Sequence, residues 1–82
     1  MNYTIAVLKQ VHSEIELELS FGMNGNKYDV GLSWLEENGH AFRTVTFEDY
    51  NAAYDRFQEL SDCILRGRYN LQDRIKILEG TF

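Results

Sequence analysis

The sequence predicts an α+β fold, in which a four-stranded antiparallel meander has one long helix packed on one face. Three observations lead to this prediction. Apolar and polar residues alternate up to Thr46, which is the period of strands. Asn-Gly pairs at positions 24–25 and 38–39 supply the positive φ angles that tight hairpin turns require. After Thr46 the apolar residues recur every three or four positions, which is the period of a helix.

The four predicted strands follow one another in chain order. Residues 3–11 are rich in β-branched and aromatic side chains, and residues 14–21 alternate strictly, so a short hairpin is expected between them. Residues 27–36 and 40–46 continue the pattern on either side of the second Asn-Gly pair. One sheet face should pack against the helix to form the core. The residues expected in this core are Ile5, Val7, Ile15, Leu17, Leu19, Tyr28, Val30, Leu32, Trp34, Val45, Tyr50, Ala53, Phe57, Leu60 and Ile64.

The predicted helix has recognisable signals at both ends. Thr46 with Asp49 has the form of a capping box, and Val45 with Tyr50 occupies the positions of a hydrophobic staple. Gly67 suits the left-handed residue that commonly follows a helix C-terminus. We therefore expect the helix to begin after Thr46 and to end before Gly67.

The last segment, residues 68–82, fits two structures. Ile75 and Ile77 alternate with basic residues as they would in a strand. Asn70 with Asp73, in contrast, could cap a short helix. The alternation slightly favours the strand, which would be a fifth strand at the C-terminal end of the chain.

Length and charge limit the class of protein. The 82 residues suffice for a single domain, residues 1–82, with one core. The net charge of −5 is unevenly distributed, because residues 1–63 hold 11 acids and 4 bases, whereas residues 64–82 hold 2 acids and 4 bases. An acidic body repels nucleic acid and anionic membranes at long range and favours basic partners.

Recognisable catalytic, metal and cofactor motifs are missing from the sequence. His12 and His40 fall in or beside predicted turns without a paired nucleophile, and a single cysteine, Cys63, excludes an internal disulfide and multi-cysteine zinc patterns. We therefore expect no enzyme activity, no cofactor and no metal site. A cytoplasmic location is expected, since there is neither a secretory signal pattern nor an apolar stretch long enough to span a membrane.

The sheet face away from the helix is expected to carry a row of carboxylates. Glu14, Glu16 and Glu18 alternate with apolar residues, which places neighbouring glutamates about 6.6 Å apart along one strand. Asp29 is expected beside them on the next strand. Apolar side chains set among such charges are typical of a partner-binding patch. The other side chains expected on this face are Ala6, Leu8, Lys9, Lys27, Leu35 and Phe42.

A second acidic surface is expected on the solvent side of the helix. The simplest interpretation of both surfaces is that they keep the domain soluble and guard the sheet edges. The alternative is electrostatic mimicry, because carboxylates at this spacing repeat at a distance of the same order as phosphates along a nucleic-acid strand. The helix residues concerned are Glu48, Asn51, Asp55, Glu59 and Asp62.

In size, acidity and lack of a catalytic motif the chain resembles the small acidic inhibitors of phages and mobile elements, such as anti-CRISPR proteins and other DNA mimics. The resemblance implies a non-catalytic inhibitor that binds a basic, nucleic-acid-handling protein such as a CRISPR effector nuclease. The partner-binding residues predicted on this basis are Glu14, Glu16, Glu18, Asp29, Phe42, Asp55, Glu59 and Asp62.

The sequence is also compatible with two other functions. A structural or assembly module could form a homodimer through the open sheet face or an edge strand. Direct nucleic-acid binding could use the basic tail, although the net repulsion of the acidic body opposes it. The tail residues concerned are Arg66, Arg68, Tyr69, Arg74 and Lys76.

Overall fold

Four antiparallel strands and two helices make up residues 3–82, the part of the chain that the computed structural model describes. The strands pair in the order β1-β2-β3-β4, so the predicted α+β class and antiparallel meander are confirmed. Neither helix of this part is long and apolar enough to cross a bilayer. The elements are β1 (Tyr3–Gln10), β2 (Ile15–Phe21), β3 (Tyr28–Glu36), β4 (Gly39–Phe47), α1 (Tyr50–Leu65) and α2 (Leu71–Glu79).

Both helices pack on the same face of the sheet and share one core with it. The central strands supply Leu17, Leu19, Val30 and Leu32, which are at most 1% exposed. Full burial of each such side chain stabilises the fold by roughly 1.5–3 kcal/mol. The remaining core residues are Trp34, Ala53, Phe57, Leu60, Cys63, Ile64, Ile75, Ile77 and Leu78.

The C-terminal segment forms the helix α2, so the favoured fifth strand and the single helix are wrong. The Asn70 side chain accepts a hydrogen bond of 2.8 Å from the backbone N–H of Asp73, which is the alternative cap noted in the sequence. As a helix, the segment buries Ile75, Ile77 and Leu78 against α1 and the sheet. Tertiary packing therefore overrides the short strand-like alternation.

A β-bulge in β1 reverses the predicted faces of this strand. Thr4 pairs with Ser20 but Ala6 pairs with Leu19, so Ile5 is an extra residue in the ladder. Ala6, Val7 and Leu8, which follow the bulge, consequently point to the side opposite to the one predicted, whereas Lys9 lies on the side away from the helices, as predicted. The core is contacted by Ala6 and Leu8, whereas Ile5 and Val7 are 43% and 50% exposed.

α1 begins after Thr46 and ends before Gly67, as predicted, but the cap at its N-terminus differs from the predicted one. Asp49 is the N-cap and accepts a 3.1 Å hydrogen bond from the backbone N–H of Ala52. Thr46 lies within β4, so the predicted capping box with Asp49 does not form. Gly67 has a φ of +63° and its N–H donates to the Ile64 carbonyl over 3.1 Å, which confirms its predicted role after the helix.

Candidate protein-binding face

The sheet face opposite the two helices, which we call the open face, presents alternate side chains of all four strands to solvent. It arises because successive residues of a strand point to opposite sides and the inner set is buried in the core. The residues that line its centre are Val7 and Lys9 of β1, Glu16 and Glu18 of β2, Gly31 and Ser33 of β3, and Phe42 and Thr44 of β4.

Two of the predicted glutamates lie side by side on the open face. Glu16 and Glu18 belong to β2, which is paired on both sides, so their backbone positions are fixed about 6.6 Å apart. The Oε2 of Glu16 lies 4.0 Å from the Nζ of Lys9. The Oε2 of Glu18 accepts a 2.5 Å hydrogen bond from Thr4. Neither contact removes a carboxylate from solvent, because both glutamates remain partly exposed.

Glu14 does not continue this row, contrary to the prediction. It lies in the turn between β1 and β2 with a φ of +52°, one residue before β2 begins. It lines a depression at one end of the strands together with Glu16 and His40. Glu14 therefore adds negative charge at the margin of the open face without the regular strand spacing.

Asp29 is on the same side of the sheet but is not available to a partner. It is only 2% exposed, and its Oδ1 accepts hydrogen bonds of 2.5 Å from Thr46 and 3.0 Å from Asn24. Its Oδ2 has no hydrogen-bond partner within residues 3–82. The expectation that Asp29 extends the exposed acidic row is therefore wrong, because the turn bearing Asn24 folds over it.

Replacing Asp29 with alanine should lower the free energy of unfolding by about 1–3 kcal/mol, since Thr46 and Asn24 lose their common acceptor. Asp29→Asn retains an acceptor oxygen and removes a buried charge, so most of that loss should be avoided. Urea unfolding of both variants measures the difference. Equal losses in the two variants would show that the charge of Asp29, rather than its accepting oxygen, stabilises the turn.

Exposed apolar side chains surround the two glutamates. Phe42 is 75% exposed, Val7 50% and Met23 56%. Leu35, at the end of β3, is 52% exposed. Phe42 and Leu35 were predicted on this face, whereas Val7 replaces Leu8 there because of the β1 bulge. A surface that mixes apolar area with charge in this way is typical of protein-binding sites.

The predicted acidic surface of α1 lies on the other side of the molecule. Asp55, Glu59 and Asp62 are exposed, but α1 covers the core face of the sheet, so they point away from the open face. Asp62 forms a 2.6 Å ion pair with Arg66. Glu59 lines a cleft together with Arg56, so this surface is a mixture of charges. One flat partner surface cannot contact both acidic surfaces at once.

The tail arginines make contacts within the fold. Arg74 is 9% exposed and its Nε donates a 3.0 Å hydrogen bond to the carbonyl of Arg68. Arg66 pairs with Asp62. The Arg68 guanidinium lies over the Tyr69 ring, 5.2 Å from its centroid, so three of the four tail cations proposed for phosphate contact are already engaged.

Cys63 is a buried thiol, 6% exposed. Burial raises its pKa above the ordinary value of 9.0, and the carboxylates of Asp62 and Glu59 raise the pKa further, against a smaller opposite effect of Arg68 and Arg74. The thiol is therefore protonated at neutral pH and a poor nucleophile. Among residues 3–82, no group of three or more His, Cys, Asp or Glu side chains is placed to hold a metal ion.

Comparison of the chain with protein-family models, with curated proteins and with solved structures finds no match.

Proposed function

We propose that the chain is a non-catalytic cytoplasmic binding module whose open face engages a basic, nucleic-acid-handling protein and blocks its nucleic-acid site. A CRISPR effector nuclease is one partner of this kind. The observation that carries the proposal is the pair Glu16 and Glu18, held on an interior strand and surrounded by exposed apolar side chains.

Charge supports a basic partner. The net charge of −5 attracts cationic surfaces at long range and raises the rate of encounter with them. At short range, carboxylates accept charge-assisted hydrogen bonds from Arg and Lys, the residues with which nucleic-acid channels bind phosphates. The open face therefore suits a surface that otherwise holds a nucleic-acid backbone.

Apolar area supports a protein rather than a free cationic polymer as the partner. Phe42 and Val7 lie on the open face beside the glutamates and are at least half exposed. Burial of such side chains yields roughly 25 cal/mol per Å² of apolar surface, and screening of charges by salt does not weaken it. A partner that covers both the carboxylates and these side chains gains from both contributions.

The experiment is capture from a cell lysate by the tagged chain, compared with two charge-matched double variants. Glu16→Gln with Glu18→Gln neutralises the open face, and Asp55→Asn with Glu59→Gln neutralises α1. Both variants change the net charge from −5 to −3. We expect the wild type and the α1 variant to capture the same nucleic-acid-binding protein, and the open-face variant to lose it.

Higher ionic strength and a competing nucleic-acid duplex provide two further tests of this proposal. Raising the ionic strength from about 0.05 M to about 0.5 M should weaken capture steeply, because exposed charge pairs are screened. A short nucleic-acid duplex should displace the captured protein if the nucleic-acid site is blocked. Capture that is retained by the open-face variant, or a ternary complex with the duplex, would contradict the proposal.

A second candidate function, self-association, is favoured by the continuous nine-residue edge strand β4 and by the exposed Phe42 that it carries. The other edge, β1, is interrupted by the bulge at Ile5. Two open faces packed together would oppose their own glutamates, so pairing through β4 is the better route. Light scattering at low and high salt tests this candidate, which predicts a dimer of unchanged stability.

A further inference from the structure

The centre of the open face contains a hollow that is large enough for one long side chain. Its volume is about 360 Å³, and it lies over Gly31 and Ser33. Glu16 and Glu18 stand on the β2 side of it and Phe42 on the β4 side. The hollow therefore places two carboxylates opposite one aromatic ring.

The hollow exists because residue 31 has no side chain. Gly31 pairs with Glu18 on one side and Thr44 on the other, in the middle of the sheet. A Cβ at this position would meet Thr44 Oγ1 at 3.4 Å, which is ordinary contact, and Gly31 does not have a positive φ. Neither the backbone nor packing thus demands glycine here, although glycine weakens the interior of a strand.

From these observations, and resting on the proposed function, we infer that the hollow is a binding site for a single arginine side chain of the partner. A guanidinium forms planar pairs with carboxylates and also stacks on an aromatic ring, here that of Phe42. The methylene stem of the arginine packs on apolar side chains such as Met23. Lys9 of the chain itself competes only weakly with the arginine for the carboxylate of Glu16, since its Nζ is 4.0 Å from that carboxylate and its side chain is 67% exposed.

Arginine is favoured over lysine by the shape of the site. The guanidinium can donate to two separate carboxylates while its plane lies against the ring, whereas an ammonium is a compact, strongly hydrated point charge. Glu16 and Glu18 are spaced about 6.6 Å apart, which suits donors spread over a planar group.

The test uses the isolated chain and a defined probe. Nα-acetyl-arginine amide is titrated into ¹⁵N-labelled protein and followed by NMR, with the citrulline and lysine analogues as matched controls. We expect saturable shifts at the amides of Gly31, Ser33 and Thr44, with a dissociation constant of roughly 1–10 mM, as suits so small a ligand. Citrulline, which is neutral, and lysine should bind at least about fivefold more weakly.

Gly31→Val places a branched side chain at the base of the hollow without changing any charge. We expect the valine variant to lose the arginine-induced shifts and Gly31→Ala to weaken them, while thermal unfolding shows that both variants remain folded. Arginine binding that is unchanged in the valine variant, or matched by the citrulline or lysine analogue, overturns the inference.

The captured partner separates this inference from the proposed function. If Gly31→Val binds the partner as the wild type does, while the Glu16→Gln, Glu18→Gln variant does not, the arginine site is refuted and the binding face stands. If the double variant also binds the partner as the wild type does, the proposed function fails. The arginine titration of the isolated chain then still shows whether the hollow binds arginine.

Discussion

Replacing Leu78 with alanine is expected to lower the free energy of unfolding by about 2–5 kcal/mol. Leu78 is fully buried in α2, where it packs in the core shared by the sheet and α1. At about 0.05–0.15 kcal/mol per residue, a domain of this length has only about 4–12 kcal/mol in total. The variant should therefore lose a large part of its stability in urea unfolding.

Leu65→Ala is the matched control for this change. Leu65 is also a helical leucine, but it is 66% exposed, so its loss should cost no more than about 0.5 kcal/mol. Similar losses for the two variants would mean that α2 does not pack on the core. The comparison thus tests the element on which the sequence and the structure disagree most.

Neutralising Glu16 and Glu18 together is expected to weaken binding of the purified partner by about 100-fold or more. Each charge-assisted hydrogen bond contributes roughly 1.5–3 kcal/mol, and about 1.4 kcal/mol corresponds to a factor of ten in affinity. The loss should appear mainly as faster dissociation, because removal of a buried charge contact acts on the bound state. Surface plasmon resonance or calorimetry measures it.

The Asp55→Asn, Glu59→Gln variant separates local contact from overall charge. It removes the same two negative charges from the opposite side of the molecule, so both variants slow long-range encounter to a similar extent. We expect its affinity to fall less than about threefold. An equal loss in both variants would show that net charge, and no particular face, determines binding.

The strands and α1 were predictable because their signals are long and periodic. The alternation of Leu17, Leu19, Val30 and Leu32 identified the core face of the sheet, and all four are buried as expected. The Asn-Gly pairs marked the turns. Such a pattern remains recognisable because all the side chains on one face of a strand are buried together, so one residue that departs from the alternation does not obscure it.

The face of β1 was mispredicted because a bulge leaves little trace in a sequence. The extra residue, Ile5, shifts the alternation by one position, so the side chains that face the core are exchanged with those that face solvent. Ile5 and Val7 nevertheless have the apolar side chains that are typical of core residues. Lys9 was the residue that could have indicated the correct face of β1. A lysine opposite Glu16 belongs on the open face, which requires its neighbour Leu8 to point into the core.

The candidate site was predictable in part. Glu16, Glu18 and Phe42 follow from strand alternation and do lie together on the open face. Asp29 has the right alternation too, but its burial depends on how the preceding turn and β4 place Asn24 and Thr46 around it. The hollow over Gly31 was missed, since it arises from three strands in register and no single stretch of sequence encodes it.

The most direct test of the proposed binding face is NMR mapping of the ¹⁵N-labelled chain on addition of the captured partner. We predict that signals of residues 16–18, 31–33 and 42–44 change or broaden first, while those of the solvent side of α1 change little. Changes concentrated on Asp55, Glu59 and Asp62, with the open face unaffected, would contradict this account.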